Sequence, residues 1–441
     1  MKYEIRFDFP KDFMFGVATS AVQVEGDHYV DGKGEDTWMH RYKADPAKCN
    51  FADPDTAAGF YHTYPEDIKL MKELGVKCFR FSISWSRIFP NGPAEVNQAG
   101  IDHYNKVIDE LKKNGIKTFF DLWHCDLPWW VVALGGLTNS SFGDWFTSYA
   151  KTCFEAFGDR IDYWCTVNEP NLNAVSETSG GPKCFHNMII AHYRTIRLYK
   201  SMGLKGKIGA VLWIEATYPF TTSENNRQAS RNRMAAFAGR WLQPMFEGTY
   251  PDELINAGDI DRKVKIDWRK DLEEYFIPCD FIGVNYYSSR YVEYGETEYM
   301  NVKVVPNSIS YLPTDDYGFG YYPQGLYDVL MYLHEYYPDK EIIITENGVG
   351  KKRLEDLDAD LHDSYRVQHM REHLRSLSRA IKAGANVVGY LPWTFLDTNE
   401  GAHLGFDVVF GLVQINRETF ERRPRDSYYY YQNVIKENRV D

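Results

Sequence analysis

The sequence predicts an α/β fold: a single (β/α)8 TIM barrel with elaborated βα loops, spanning residues 1–441. Three observations carry that expectation. Short β-branched or aromatic runs alternate with longer stretches of helical period, the runs number eight, and no second pattern, linker, low-complexity tract or repeat interrupts them. A chain of 441 residues would ordinarily suggest two or three domains, yet α/β barrels with inserted loops reach this size as one unit.

The runs follow one another in order. The first half holds "FGVA" (15–18), "CFRFS" (78–82), "KTFFDL" (117–122) and "YWCTV" (163–167). The second holds "IGAVLWI" (208–214), "FIGVN" (281–285), "IIIT" (342–345) and "VVGYL" (387–391). Between them lie amphipathic stretches such as "YPEDIKLMKELGV" and "YNKVIDELKKNGI", each with a glycine where a helix would end. The tyrosine run "DSYYYYQ" (426–432) fits a C-terminal amphipathic helix laid over the barrel.

Composition narrows the function classes. With 44% hydrophobic and 25% charged residues the chain has ample material for a core. A net charge of -12 argues against nucleic acid or an anionic membrane as partner. No apolar run approaches the roughly 18 residues of a membrane span, and "MKYEIRFDFPKDF" lacks a signal-peptide core. Cysteines 49, 78, 125, 153, 165, 184 and 279 are odd in number and never spaced as CxxC. Reduced thiols in a cytoplasmic protein are therefore expected, rather than disulfides or a zinc site. No HxH or HExxH pair is present, so no metal is expected, and His28, His40, His62 and His192 read as structural. The aromatic content of 16% hints at sugar stacking, and a homo-oligomer stays open.

In such barrels the chemistry sits where strands run into the loops that follow. The polar residues there are Gln23 and Glu25, Arg80, His124 and Asp126, Asn168 and Glu169, Asn285, Tyr286 and Tyr287, Glu346, and Trp393 with Glu400. Two of them pose the same puzzle. "IIITENG" and "TVNEP" each end an apolar strand on a glutamate, a costly place for a carboxylate unless charges and hydrogen bonds hold it. Three strands apart on a ring of eight, Glu346 and Glu169 face each other across the mouth. Paired carboxylates flanking a pocket are what hydrolysis of a glycosidic bond requires. One gives a proton to the departing oxygen, while the other attacks the anomeric carbon or activates a water. A low-dielectric wall and a neighbouring anion should raise the acid's pKa, while Arg80 and the tyrosines after the sixth strand are placed to stabilise its partner.

From about residue 8 to 437 the chain resembles glycoside hydrolase family 1, the retaining β-glucosidase family. "FMFGVATSAVQVEG", "FRFSISWSRIFP", "LWHCDLP", "TVNEP", "GVNYY", "YYPQGLYDVL", "ITENG" and "LPWTFLDTNE" are similar to that family's signatures, in order. The resemblance implies a small-molecule β-glycoside or oligosaccharide substrate and no cofactor. It implies Glu169 as acid/base, Glu346 as nucleophile, Asn168 on the sugar 2-hydroxyl, and Arg80 and Tyr287 steadying the nucleophile. Gln23, His124, Asn285 and Glu400 would serve the other polar contacts, with Trp393 as the floor. The two carboxyl groups would lie roughly 5–5.5 Å apart. Glu25 reads as a structural residue beneath the pocket.

Two departures bear on the substrate. Where the family carries tryptophan after the last glutamate this chain has Gly401, and Cys125 replaces an aromatic after His124. The loop after Glu400 is about one residue longer than usual. The expectation is an opened pocket wall, which leaves glucose, galactose, fucose, xylose, or a substituted or disaccharide sugar as alternatives. A 6-phosphate would need basic partners, and "EGAHLGFDVVFG" has no Lys or Arg. A transglycosylase and a sugar-binding barrel without turnover complete the alternatives.

Overall fold

The structure, a computed structural model, describes residues 6–172, 181–258, 260, 267–401 and 405–441. Residues 402–404, where the lengthened loop was expected, lie outside that set. The barrel strands are β1 (Met14–Ala18), β2 (Cys78–Ser82), β3 (Lys117–Asp121), β4 (Tyr163–Asn168), β5 (Lys207–Trp213), β6 (Phe281–Asn285), β7 (Glu341–Glu346) and β8 (Val387–Tyr390). Every boundary agrees with the sequence expectation to within one residue. The strands close in chain order with all neighbours parallel, β8 returning to β1.

Both faces of these strands are covered, which is why they read as continuous apolar runs rather than alternating ones. The outer faces meet the surrounding helices in one large core. Inside the barrel a second cluster, including Met14, Cys78, Phe119, Cys165, Val211, Phe281, Ile343 and Leu391, plugs the lumen. The barrel is therefore a solid pedestal, and only its mouth is open for chemistry.

The helices end where their glycines indicated. Phe60–Leu74 stops at Gly75, whose φ of 90° suits glycine, and whose N–H bonds back to Met71 and Lys72. Gln98–Lys113 likewise ends just before Gly115, at φ 72°. The tyrosine run lies in the helix Asp426–Glu437, with Tyr428 and Tyr431 buried and Tyr429 exposed. The Tyr431 hydroxyl donates to the Gly16 and Tyr390 carbonyls at 2.9 and 3.2 Å, fastening this helix across the β8–β1 seam. Among the described residues no helix is long and apolar enough to cross a membrane.

Two irregularities at the mouth matter. The β4–β5 register shifts between Cys165 and Asn168, and the β7–β6 register shifts between Ile344 and Glu346. Each inserts one extra residue just before a strand-end glutamate. Such bulges turn a side chain out of the regular alternation.

Candidate active site

After the β4 bulge the chain turns sharply at Glu169, whose φ is 46° and whose N–H donates to the Val211 carbonyl at 2.8 Å. A left-handed backbone at a residue other than glycine costs about 1–3 kcal/mol, so the surrounding structure must enforce it. Glu346 closes β7 and is 4% exposed. Arg80, fully buried on β2, donates from Nη1 to Glu346 Oε1 at 2.6 Å. Its Nη2 reaches Asn168 Oδ1 at 2.7 Å and Asp121 Oδ2 at 2.6 Å. The Tyr287 hydroxyl donates to the other Glu346 oxygen at 2.6 Å.

One guanidinium therefore joins β2, β3, β4 and β7. Burial works against its charge, but the Asp121 and Glu346 carboxylates outweigh burial and hold the Arg80 pKa above its ordinary value. Asn285, at the end of β6, bridges the pair from the other side. Its Nδ2 donates to Glu169 Oε1 at 2.8 Å and to Asn168 Oδ1 at 3.0 Å, and its Oδ1 accepts from Thr345 at 2.7 Å.

Glu169 has no cation in hydrogen-bond contact among the described residues. Burial foremost, and then the charge of Glu346, push its pKa up to about 8, with the Asn285 bond opposing. Glu400 is pushed up to about 7, mainly by burial. Its Oε1 accepts from Thr398 at 2.5 Å and from the Trp393 indole at 3.3 Å. His124 stacks on Trp393 with ring centroids 5.5 Å apart and planes at 13°. Its Nδ1 lies 3.3 Å from Asp121. Gln23 accepts from Ser20 at 2.6 Å and donates to the Asn399 carbonyl at 3.2 Å, which fixes its amide.

Eight of the ten residues expected at the site, Gln23, His124, Asn168, Glu169, Tyr287, Glu346, Trp393 and Glu400, line one cavity of about 830 Å³. Arg80 and Asn285 stand behind its wall and touch it through the residues they hold. The remaining strand-end residues fall away. Tyr286 turns outward to the Tyr322 carbonyl at 2.7 Å, and Glu25, off the cavity, pairs with Arg87 and accepts from Tyr104, contacts that suit the structural role expected for it. Asp126 is buried off the cavity, its pKa raised to about 7 by burial and then by the nearby Asp36 charge. Among the described residues no group of three or more His, Cys, Asp or Glu side chains could hold a metal ion.

The opened wall expected at Gly401 is not found. The indole of Trp38 occupies the space beside that glycine. Cys125 does line the cavity. Sequence reasoning also passed over Asp121, although it ends the β3 run, and Trp213, although it ends β5 and lines the cavity. Both carry the strand-end signal used for the others. Trp38, in the short helix Thr37–Ala44 after β1, and the loop residues Tyr317 and Phe319 carried no such signal.

A barrel mouth with one carboxyl group favoured as the acid and a second held by a cation and a phenol is equipped for hydrolysis of glycosides. The chain belongs to glycosyl hydrolase family 1, whose model matches residues 5–440. It is 36% identical to β-glucosidase A of Acetivibrio thermocellus, over 98% of this chain and 99% of that one. It is 34% identical to a 6-phospho-β-glucosidase of Bacillus subtilis, over 99% of each. The solved family 1 β-glucosidase of Thermotoga maritima superposes with a TM-score of 0.92 at 33% identity, covering 99% of this chain and 100% of that chain.

Proposed function

We propose that the protein is a retaining β-glucosidase that releases terminal β-D-glucosyl residues by double displacement. The observation that carries this reading is the unequal treatment of two carboxyl groups in one cavity. Glu346 is held by Arg80 and Tyr287, whereas the carboxyl of half-buried Glu169 meets, among the described residues, only the Asn285 amide and its pKa is pushed up to about 8. In the first step a Glu346 oxygen bonds to the anomeric carbon as the bond to the aglycone oxygen breaks, and Glu169 transfers its proton to that oxygen. In the second step water attacks the anomeric carbon, Glu169 takes the water's proton, and the ester to Glu346 breaks. Arg80 and Tyr287 orient the nucleophile and Asn285 orients the acid/base. Asn168 is assigned to the 2-hydroxyl, Gln23, His124 and Glu400 to the remaining hydroxyls, and Trp393 to the floor under the ring.

The glycone is assigned as glucose on the β-glucosidase relatives and on the retained Glu400. The buried Glu400 carboxyl beside the sugar disfavours a 6-phosphate. Seven free thiols fit a cytoplasmic protein.

Azide rescue tests both roles at once. Glu346→Ala should abolish hydrolysis of aryl β-glucosides, and added azide should restore turnover with an α-glycosyl azide as product. Glu169→Ala with azide should instead give the β-glycosyl azide. Identical products from the two variants would refute the assignment. Rates on aryl glucoside, galactoside, fucoside, xyloside and 6-phosphoglucoside settle the glycone, and product analysis with added sugar acceptors separates hydrolysis from transfer.

A further inference from the structure

Position 401 follows Glu400 directly and carries no side chain, yet the cavity is walled there. A Cβ placed on Gly401 would stand 2.2 Å from Cζ2, 2.3 Å from Cη2 and 3.1 Å from Cε2 of Trp38. Carbon atoms in contact need about 3.5–4.0 Å, so any side chain at 401 collides with the indole. The backbone does not demand glycine here, because Gly401 is not among the glycines of positive φ. Trp38 thus fills the space that a side chain at 401 would need.

The indole is firmly set. Trp38 lies in the first turn of the helix Thr37–Ala44, whose N-cap Asp36 accepts from the Met39 N–H at 2.8 Å and pairs at 2.9 Å with Lys33, whose side chain is nearly inaccessible. Phe51 packs on it with centroids 5.0 Å apart. The Phe51 segment is itself pinned, since the Asn399 amide accepts from the Ala52 N–H at 2.9 Å and donates to the Ala52 carbonyl at 2.8 Å. Trp38, Phe51, Glu400 and Gly401 all line the one cavity.

We propose that Trp38 is a specificity-determining residue of the glycone site. Its indole, supplied from the loop after β1, forms the wall beside Glu400 against which the end of the sugar remote from the anomeric carbon packs. That wall selects a neutral hexopyranoside without a bulky or charged substituent at that end. The inference rests on the β-glycosidase reading, and deepens it by naming what the site excludes.

The test uses the full-length protein and two independent readouts. On aryl glycosides, Trp38→Ala should raise KM for the glucoside about tenfold with a smaller change in kcat. It should also lower the glucoside-over-galactoside ratio of kcat/KM about tenfold, the range in which apolar pocket contacts discriminate. The double variant Trp38→Ala/Gly401→Trp returns an indole to the wall from the other side and should recover part of both. Calorimetric binding of deoxynojirimycin, present in a solved complex of the Thermotoga maritima relative, should weaken in Trp38→Ala and strengthen again in the double variant. If the wild type hydrolyses no aryl β-glycoside, the glycosidase reading fails, and the binding arm alone then decides the role of Trp38. Should the alanine variant not fold, Trp38→Phe takes its place with smaller shifts in the same directions. A folded Trp38 variant with unchanged KM, selectivity and affinity overturns the proposal, as does a wild type that prefers the 6-phosphoglucoside.

Discussion

Glu169 shows how one residue trades stability for chemistry. In the fold its carboxyl holds its proton up to about pH 8, whereas the unfolded chain would release it near 4.5. Between those values the folded state binds more protons than the unfolded one, so stability falls as pH rises through that window and is lowest above about 8. Glu169→Gln, which cannot ionise, should therefore raise the melting temperature more at pH 8.5 than at pH 5. In the proposed mechanism the protonated form is the working one in the first step. The kcat/KM of wild type should accordingly decline with an apparent pKa near 8, and that limb should vanish in Glu169→Gln, whose rate falls about 10²–10⁴-fold on poor leaving groups. Arg80 presents the opposite case. Replacing it by methionine leaves Glu346 and Asp121 buried without their cation, which should cost about 3–5 kcal/mol in denaturant unfolding.

At the scale of elements, the site is assembled by strand ends and trimmed by loops. The strands were legible because burial on both faces leaves a short apolar signature, and each interrupting polar residue stood out against it. Glu346, Glu169, Arg80 and Asn285 were found that way, and the structure gathers all four around Asn168 or its neighbours. The bulges were not legible, since a register shift depends on the neighbouring strand. Trp38 was not legible either: its relation to Gly401 exists only once the first and last βα loops meet. At Gly401 the expectation of an open wall failed for that reason, because it counted the aromatics missing at 401 and 125 and not an indole supplied from after the first strand. Asn399 is the tie between those loops, so Asn399→Ala should leave the Ala52 N–H and carbonyl unpaired. We expect a loss of about 1–3 kcal/mol in thermal unfolding and a raised KM for aryl glucoside, since the Phe51 backing of Trp38 loosens.

For the molecule as a whole, the solid lumen and the closed ring concentrate all open chemistry at one end of the strands. The proposed reaction draws on side chains of the chain alone, the bond-making and bond-breaking steps on its two carboxyl groups. Prolonged treatment with a chelator should leave kcat/KM within experimental error of the untreated enzyme, and a sustained loss reversed by a divalent ion would contradict that. The pairing of Trp38 with Gly401 also has a consequence for engineering by recombination. A chimera whose eighth-strand loop carries tryptophan at position 401, while keeping the first loop of this chain, would bring two indoles into the same volume. Crossover points that separate those loops should yield hybrids in which one of the two indoles is displaced, so the two segments are best exchanged together.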